Sequence, residues 1–423
     1  MSHSPVALDV LPNGLRVLTE SMKEVRSVSI GVWLTRGSRH ETAEQSGVAH
    51  FVEHMLFKGT ATRSAEDIAQ AIDSIGGQLD AFTAKEYASY YIKVLDEHLP
   101  LAVDVLADIV RNPAFAPDDV EREQKVVVEE IKMVEDTPDD LVHELFTQGF
   151  WGAHPLGRPI LGTRDTVESF TSGLLRRYFE STYTPHNLIV SAVGNLERQQ
   201  LLDLVVDKFG SMHAAVGARD EQRPQVVPAV QIRRKELEQS HICLGTDSYP
   251  QDHTDRHAIY VLNTLLGGSM SSRLFQNIRE KRGLAYAVFS GVSAYRDAGA
   301  FTVYAGCSDE AVGQVVDLVV DELKTVKQTP VPPAELRRAK DHLKGSLMLG
   351  LESTASRMSH IARQEIYFDR QFSLDETLEA IEAVTPDDVR RVAADLFAGN
   401  SLSATVLGNV NGLKLPRERL DLQ

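Results

Sequence analysis

His50-x-x-Glu53-His54 is the part of this chain best equipped for chemistry. On a helix the two histidines stand at i and i+4, so both imidazoles leave one face. Two imidazoles one turn apart can share one tetrahedral zinc ion. Glu53 lies beside His54 on the neighbouring stripe, where it can take a proton from water on that ion. The pattern inverts the commoner His-Glu-x-x-His arrangement and points to a zinc hydrolase, most simply a peptidase. The plain alternative is two surface histidines on an amphipathic helix. Five residues also match by chance, so the surrounding chain has to decide.

The local sequence predicts the helix that this geometry needs. Ser46 is the expected N-cap and Gly59 the expected C′ residue, while Val48, Phe51, Val52, Met55 and Leu56 recur as one apolar stripe. Ahead of it, residues 14–19 and 27–34 read as strands. After it come a helix over 64–75 with Ser64 as N-cap, stopped at Gly76-Gly77, and a hairpin of 78–83 with 88–95 around Lys85-Glu86. Helices follow over 99–111 and from Pro117 past Glu130. The second half repeats this order: a strand over 241–246, a helix over 256–266 ended by Gly267-Gly268, and strands over 285–290 and 299–305. Helices over 310–325 and from Pro333 onward complete it. A repeat of this kind sets the architecture.

The expected fold is therefore α+β, two structurally similar domains in tandem, each a mostly antiparallel sheet packed with helices. Residues 1–218 form the zinc-binding catalytic domain, the Pro- and Gln-bearing stretch 219–230 the linker, and 231–423 a degenerate repeat.

Superposing the halves sharpens the motif. His50 falls on Ile259, Glu53 on Leu262 and His54 on Asn263, while Glu123 falls on Ala339 and Glu130 on Ser346. The first half carries the groups that can bind or activate a metal, and the matching positions of the second carry none. The scaffold does not need those groups, so their presence points to function.

Composition narrows the setting. A chain of 423 residues calls for at least two domains, and 43% hydrophobic with 25% charged residues is usual for a globular protein. No apolar run is long enough for a bilayer, so no membrane partner is expected. The first ten residues lack the pattern of a secretory signal or an Arg-rich presequence. A cytoplasmic location is expected. The two cysteines, Cys243 and Cys307, sit in apolar strand-like surroundings and read as buried free thiols. A net charge of −16 argues against nucleic acid and is compatible with basic peptides.

A catalytic zinc site takes three protein ligands and keeps one position open, so a carboxylate has to join the histidines. The helical run 121–130 offers Glu121, Glu123, Glu129 and Glu130. Spacing does not choose among them, and each has an ordinary reading as a solvated helix face.

At this point the chain resembles a known family. His50-x-x-Glu53-His54, with Glu130 in Val-Val-Glu-Glu-Ile, the run 79–87 and the run 265–275, is similar to the pitrilysin-type zinc metallopeptidases. The resemblance spans nearly the whole chain and is nearest to the short branch typified by the mitochondrial processing peptidase beta subunit. It implies a zinc endopeptidase or oligopeptidase with one Zn2+ per chain, bound by His50, His54 and Glu130. Glu53 is then the general base, and Glu123, two turns before Glu130, orients the ligands. Arg279 and Tyr286 are the second-half residues that complete the active site, by binding substrate carbonyl and stabilising the oxyanion.

The resemblance further implies an edge strand over 79–84 that holds an extended peptide or unfolded segment. On it Ala81 bonds the substrate backbone and Phe82 lines the pocket beyond the cut. Asp80 stands where many relatives have Asn and adds negative charge. Asp140 and Glu144 match the site for a basic residue, although Thr137-Pro138-Asp139-Asp140 is also a complete helix start. The loop after Gly267-Gly268 lacks the Lys-Ser/Thr of a phosphate-binding loop. Because loop and zinc motif share one chain, a homodimer is expected, or a heterodimer with a related chain. A bacterial cytoplasmic enzyme is expected ahead of a processed organellar one. The rival readings are a non-catalytic core-protein-like assembly subunit and a zinc-free peptide-binding module of the same fold.

Overall fold

A computed structural model describes residues 5–213 and 222–423. Residues 219–221 of the expected linker lie outside the described residues.

The first sheet holds β1 (Ala7–Val10), β2 (Arg16–Ser21), β3 (Ser27–Leu34), β4 (Gln78–Thr83), β5 (Ala88–Leu95) and β6 (Leu188–Gly194). Their order is β1-β2-β6-β3-β5-β4, antiparallel except for the β2–β6 pair. The second sheet holds β7 (Val230–Arg234), β8 (Ser240–Ser248), β9 (Ala285–Ala294), β10 (Gly299–Cys307) and β11 (Ser403–Gly408). Its order is β7-β11-β8-β10-β9, with β7–β11 the parallel pair. Apart from β1 the two sheets have the same strand order and the same single parallel pair, so the repeat read from the sequence extends to topology.

Local chemistry accounts for several boundaries. β4 alternates, with Leu79, Ala81 and Thr83 partly buried and Gln78, Asp80 and Phe82 exposed, as an edge strand lying over a helix should. β3 is buried along nearly its whole length, because side chains pack against both its faces. The apolar runs of β6 and β11 are likewise buried throughout and occupy interior places in their sheets. The first-half strand expected at 14–19 begins instead at Arg16, after a turn in which Gly14 has φ +91°.

Two compact units form, and they are not the two contiguous halves. One comprises the described parts of Met1–Lys132, Arg158–Glu221 and Gly350–Gln371; the other those of Met133–Gly157, Gln222–Leu349 and Phe372–Gln423. The helix Pro138–Trp151 belongs to the second unit, where Leu141, Val142, Phe146 and Phe150 pack with Cys243, Tyr304 and Leu407 of the second sheet. The helix Thr354–Phe368 belongs to the first unit, where Met358, Ile361, Ala362 and Ile366 pack with Leu18, Trp33 and Ile189. Each helix directly follows the long helix of its own half, so the halves exchange equivalent elements. The units thus depart from the expected division at 1–218 and 231–423. Polar contacts fix the exchanged helix of the first unit: Arg357 forks onto Glu20 at 2.7 and 2.8 Å, and Ser29 meets Thr354 at 2.9 Å.

Cys243 and Cys307 are buried free thiols, as expected. Among the described residues no helix is long and apolar enough to cross a membrane.

Candidate metal centre

The motif helix spans Val48–Leu56 and buries Val48, Phe51, Val52, Met55 and Leu56 completely. Its start differs from expectation. Gly47, not Ser46, is the N-cap, with φ +94° and its backbone against Leu161 and Gly162. A Cβ there would lie 2.6 Å from the Leu161 carbonyl oxygen, so only glycine fits. The Ser46 hydroxyl is buried and takes no part in the cap. Glu41 does that work from a distance: Gly47 N donates to its Oε2 at 2.8 Å and Ala49 N to its Oε1 at 2.7 Å. Its two oxygens thereby satisfy orphan donors at the helix N-terminus. Burial pushes the Glu41 carboxyl up to about 8, against the pull of the two N–H bonds and of Lys85 and Arg158. At the other end Phe57 is the C-cap, and Gly59, with φ +125°, instead forms a bridge to Ser64 that turns the chain into the next helix, Ala65–Asp73.

The long helix Pro117–Asp136 separates its four glutamates. Glu121 and Glu129 are exposed, and Glu129 pairs with Lys132 at 2.6 Å. Glu123 is buried and its Oε2 lies 3.0 Å from His54 Nδ1. Lys58 Nζ holds its other oxygen at 2.7 Å. Glu130 Oε2 lies 3.8 Å from His50 Nε2 and 3.6 Å from His54 Nε2. One ligand atom each from His50, His54 and Glu130 falls within 4.8 Å of the others. Glu130 Oε2 is buried and has no hydrogen-bond partner, which a cation held among these three atoms would supply. Two imidazole nitrogens and one carboxylate oxygen are a donor set suited to zinc. Burial first, and then the neighbouring His54, lower the His50 pKa to about 4, keeping that imidazole neutral and able to ligate.

Glu53 leaves the same helix towards β4. Thr83 Oγ1 donates to its Oε2 at 2.5 Å. Burial raises the Glu53 pKa, the Thr83 bond and His54 oppose that shift, and Asp80 and Glu130 add to it. A half-buried carboxyl whose pKa is raised by burial is a stronger base than an exposed one, which suits it to taking and returning a proton.

The remaining expected residues fall in two groups. Asp80, Ala81 and Phe82 lie on β4, the free edge of the first sheet. Asp80 accepts from Tyr91 Oη at 3.0 Å and from Ala81 N at 2.8 Å. Phe82, 37% exposed, stands edge-on to Trp33 at 5.8 Å. Asp140, Glu144, Arg279 and Tyr286 belong to the second unit. Asp140 is exposed in the first turn of Pro138–Trp151 and Glu144 is half-buried one turn later. Arg279 lies over the ring of Tyr286, 5.4 Å from its centre, and Tyr286 is 73% exposed at the start of edge strand β9. Three polar residues around the motif had no signal of their own in the sequence: Glu41, Lys58 and Thr83.

The fold has close counterparts in solved structures. A protease from Helicobacter pylori superposes with a TM-score of 0.88 at 24% identity, covering 95% of this chain and 99% of that one. A structure described as a peptidase M16 inactive domain from Pseudomonas fluorescens gives 0.89 at 21% identity, covering 97% and 100%.

Residues 16–164 match the family described as Insulinase (Peptidase family M16), and residues 169–343 match the Peptidase M16 inactive domain. An uncharacterized zinc protease of Bacillus subtilis (strain 168) is 45% identical over 91% of this chain and 94% of its own length. One of Streptomyces coelicolor is 44% identical over 94% and 88%. The chain belongs to peptidase family M16, the insulinase or pitrilysin type, and has its two-domain α+β fold. The second match, by its description an inactive domain, begins at residue 169 and includes none of His50, Glu53, His54 and Glu130.

Proposed function

We propose that the protein is a zinc-dependent endopeptidase or oligopeptidase acting on extended peptides, with one zinc ion per chain. The observation that carries this reading is the convergence of the unpartnered Glu130 Oε2 with the Nε2 atoms of His50 and His54. These three residues hold the ion. When bound, zinc supplies Lewis-acid chemistry, polarising a carbonyl and making water more acidic. Glu53 accepts the proton of the attacking water and returns it to the leaving amine. Glu123 keeps His54 in the tautomer whose Nε2 lone pair faces Glu130.

The substrate lies along the free edge of β4, with main-chain bonds at Ala81 and side-chain contact at Phe82. Arg279 and Tyr286 serve the substrate carbonyl and the oxyanion, and Asp140 with Glu144 favours a basic residue near the cut. The relatives' name, zinc protease, supports the reaction class. The chain carries both the zinc motif and the loop after Gly267-Gly268, so it pairs with itself, which light scattering tests.

The deciding experiment is metal analysis together with hydrolysis of a peptide library by wild type and Glu53→Gln, with and without a chelator. Stoichiometric zinc, chelator-sensitive cleavage and loss of cleavage in Glu53→Gln are expected. A protein without zinc, or one whose cleavage survives Glu53→Gln, ends the enzyme reading.

A further inference from the structure

The proposed mechanism gives Glu53 a proton to carry but does not say what aims its carboxylate. A glutamate on a helix has three rotatable bonds, and a general base is effective only when held in the productive orientation. The motif helix cannot supply that hold. Its cap at Glu41 fixes the backbone, and its apolar stripe fixes Phe51, Val52 and Met55, which point away from the metal centre.

The one side-chain partner among the described residues lies across on the neighbouring strand. Thr83 Oγ1 donates to Glu53 Oε2 at 2.5 Å. Thr83 ends β4, opposite Ala88 of β5, and shares with Leu79 and Ala81 the strand face that is partly buried. Its β-branched side chain is stiff at χ1, so the hydroxyl is held as firmly as the strand itself. A hydroxyl donating to a carboxyl oxygen holds that oxygen in one direction.

We infer that Thr83 is a positioning residue for the general base: its hydroxyl holds Glu53 Oε2 and so presents Oε1 to the proton of the attacking water. The assignment rests on the peptidase reading above and deepens it. It also ties the base to the strand that holds the peptide. The same β4 carries Ala81 against the substrate backbone and Thr83 against the base, so the distance from bound peptide to base is set by one rigid element. Thr83 touches neither metal ligand nor reacting atom, and its loss alters the rate of the chemical step without altering the affinity for peptide or zinc.

The test uses the full-length zinc-loaded chain, a fluorogenic peptide, and the variants Thr83→Val, Thr83→Ser and Glu53→Gln. Valine copies the shape of threonine without the hydroxyl, and serine keeps the hydroxyl. Thr83→Val should lose between about tenfold and a hundredfold in kcat, with KM within roughly twofold of wild type. Its zinc content, and the anisotropy-measured affinity for labelled peptide in a Glu53→Gln background, should not change. Thr83→Ser should recover most of the rate. If Thr83→Val does not fold, Thr83→Ala against Thr83→Ser makes the same comparison.

Full kcat in the hydroxyl-free variant overturns the assignment, as does an equal loss in Thr83→Ser or a loss that appears only in KM or zinc content. Those results leave the peptidase reading standing when wild type cleaves and Glu53→Gln does not. An inactive wild type, or an active Glu53→Gln, overturns both together.

Discussion

Glu123 Oε2 meets His54 Nδ1 at 3.0 Å, on the side of the imidazole away from Glu130. An ionised carboxylate only accepts, so the proton sits on Nδ1 and the Nε2 lone pair is presented to the metal position. Lys58 Nζ at 2.7 Å holds the other oxygen of Glu123, which is buried. Replacing a partner of this kind typically weakens metal binding by about tenfold to a hundredfold. Glu123→Gln should lower zinc affinity by that factor, read by competition with a chromogenic chelator. Lys58→Met should lower it less. Wild-type affinity in Glu123→Gln would mean that packing alone orients His54.

The cap on the motif helix makes a second prediction. Glu41→Ala strips the acceptors from Gly47 N and Ala49 N and leaves both buried. Lost helix caps cost about 1–2 kcal/mol. Thermal unfolding of the variant should shift down accordingly. Because the frayed turn is the one before His50, zinc affinity should fall with it. Ser46→Ala, by contrast, should leave both unchanged, since the Ser46 hydroxyl makes no cap bond.

That contrast shows where the sequence was informative and where it was not. The hairpin of β4 and β5 was legible to the residue, because an alternating run, a short turn and a second run have no other simple reading. The N-cap at Ser64 and the helix Leu99–Arg111 were legible for similarly local reasons. Capping by Glu41 was not, because its carboxylate reaches the helix across a loop and no short pattern records that. The exchanged helices were not, because an apolar stripe shows that a helix packs but not on which sheet. Among the four glutamates of 121–130, helical phase left the choice open until the partners of Glu123 and Glu130 were placed by long-range packing. Thr83 reads as an ordinary strand residue until Glu53 is set opposite it.

Acid should destabilise the chain through half-buried histidines in both units. His257 in the second unit and His360 in the first have their pKa values lowered to about 4, by burial first and then by neighbouring arginines. An unfolded histidine titrates near 6.5. As pH falls below that value the unfolded chain takes up protons that the folded chain refuses, so stability declines with falling pH. The decline levels off once pH passes about 4 and the folded histidines also charge. Urea midpoints for the metal-free protein should therefore fall between pH 7 and pH 5. His360→Gln should make that fall shallower, whatever its effect on stability at pH 7. An unchanged slope would show that His360 is not titrating in this window.

Arg357 and Glu20 decide how firmly the exchanged helix is seated on the first sheet. Both side chains are almost fully buried, and the guanidinium forks onto the carboxylate at 2.7 and 2.8 Å. Arg357 Nη1 is itself buried without a partner, so the pair carries a desolvation cost that its two bonds only partly offset. Removing one member is worse than removing both. Arg357→Met leaves the Glu20 carboxylate buried and uncompensated, and should cost about 3–5 kcal/mol in urea unfolding. Joining it with Glu20→Leu removes the stranded charge and should recover most of that loss, because Leu18, Trp33 and Ile189 already make this an apolar surface. A double variant no more stable than Arg357→Met would mean that the ion pair, and not the apolar face around Met358 and Ile361, seats the helix.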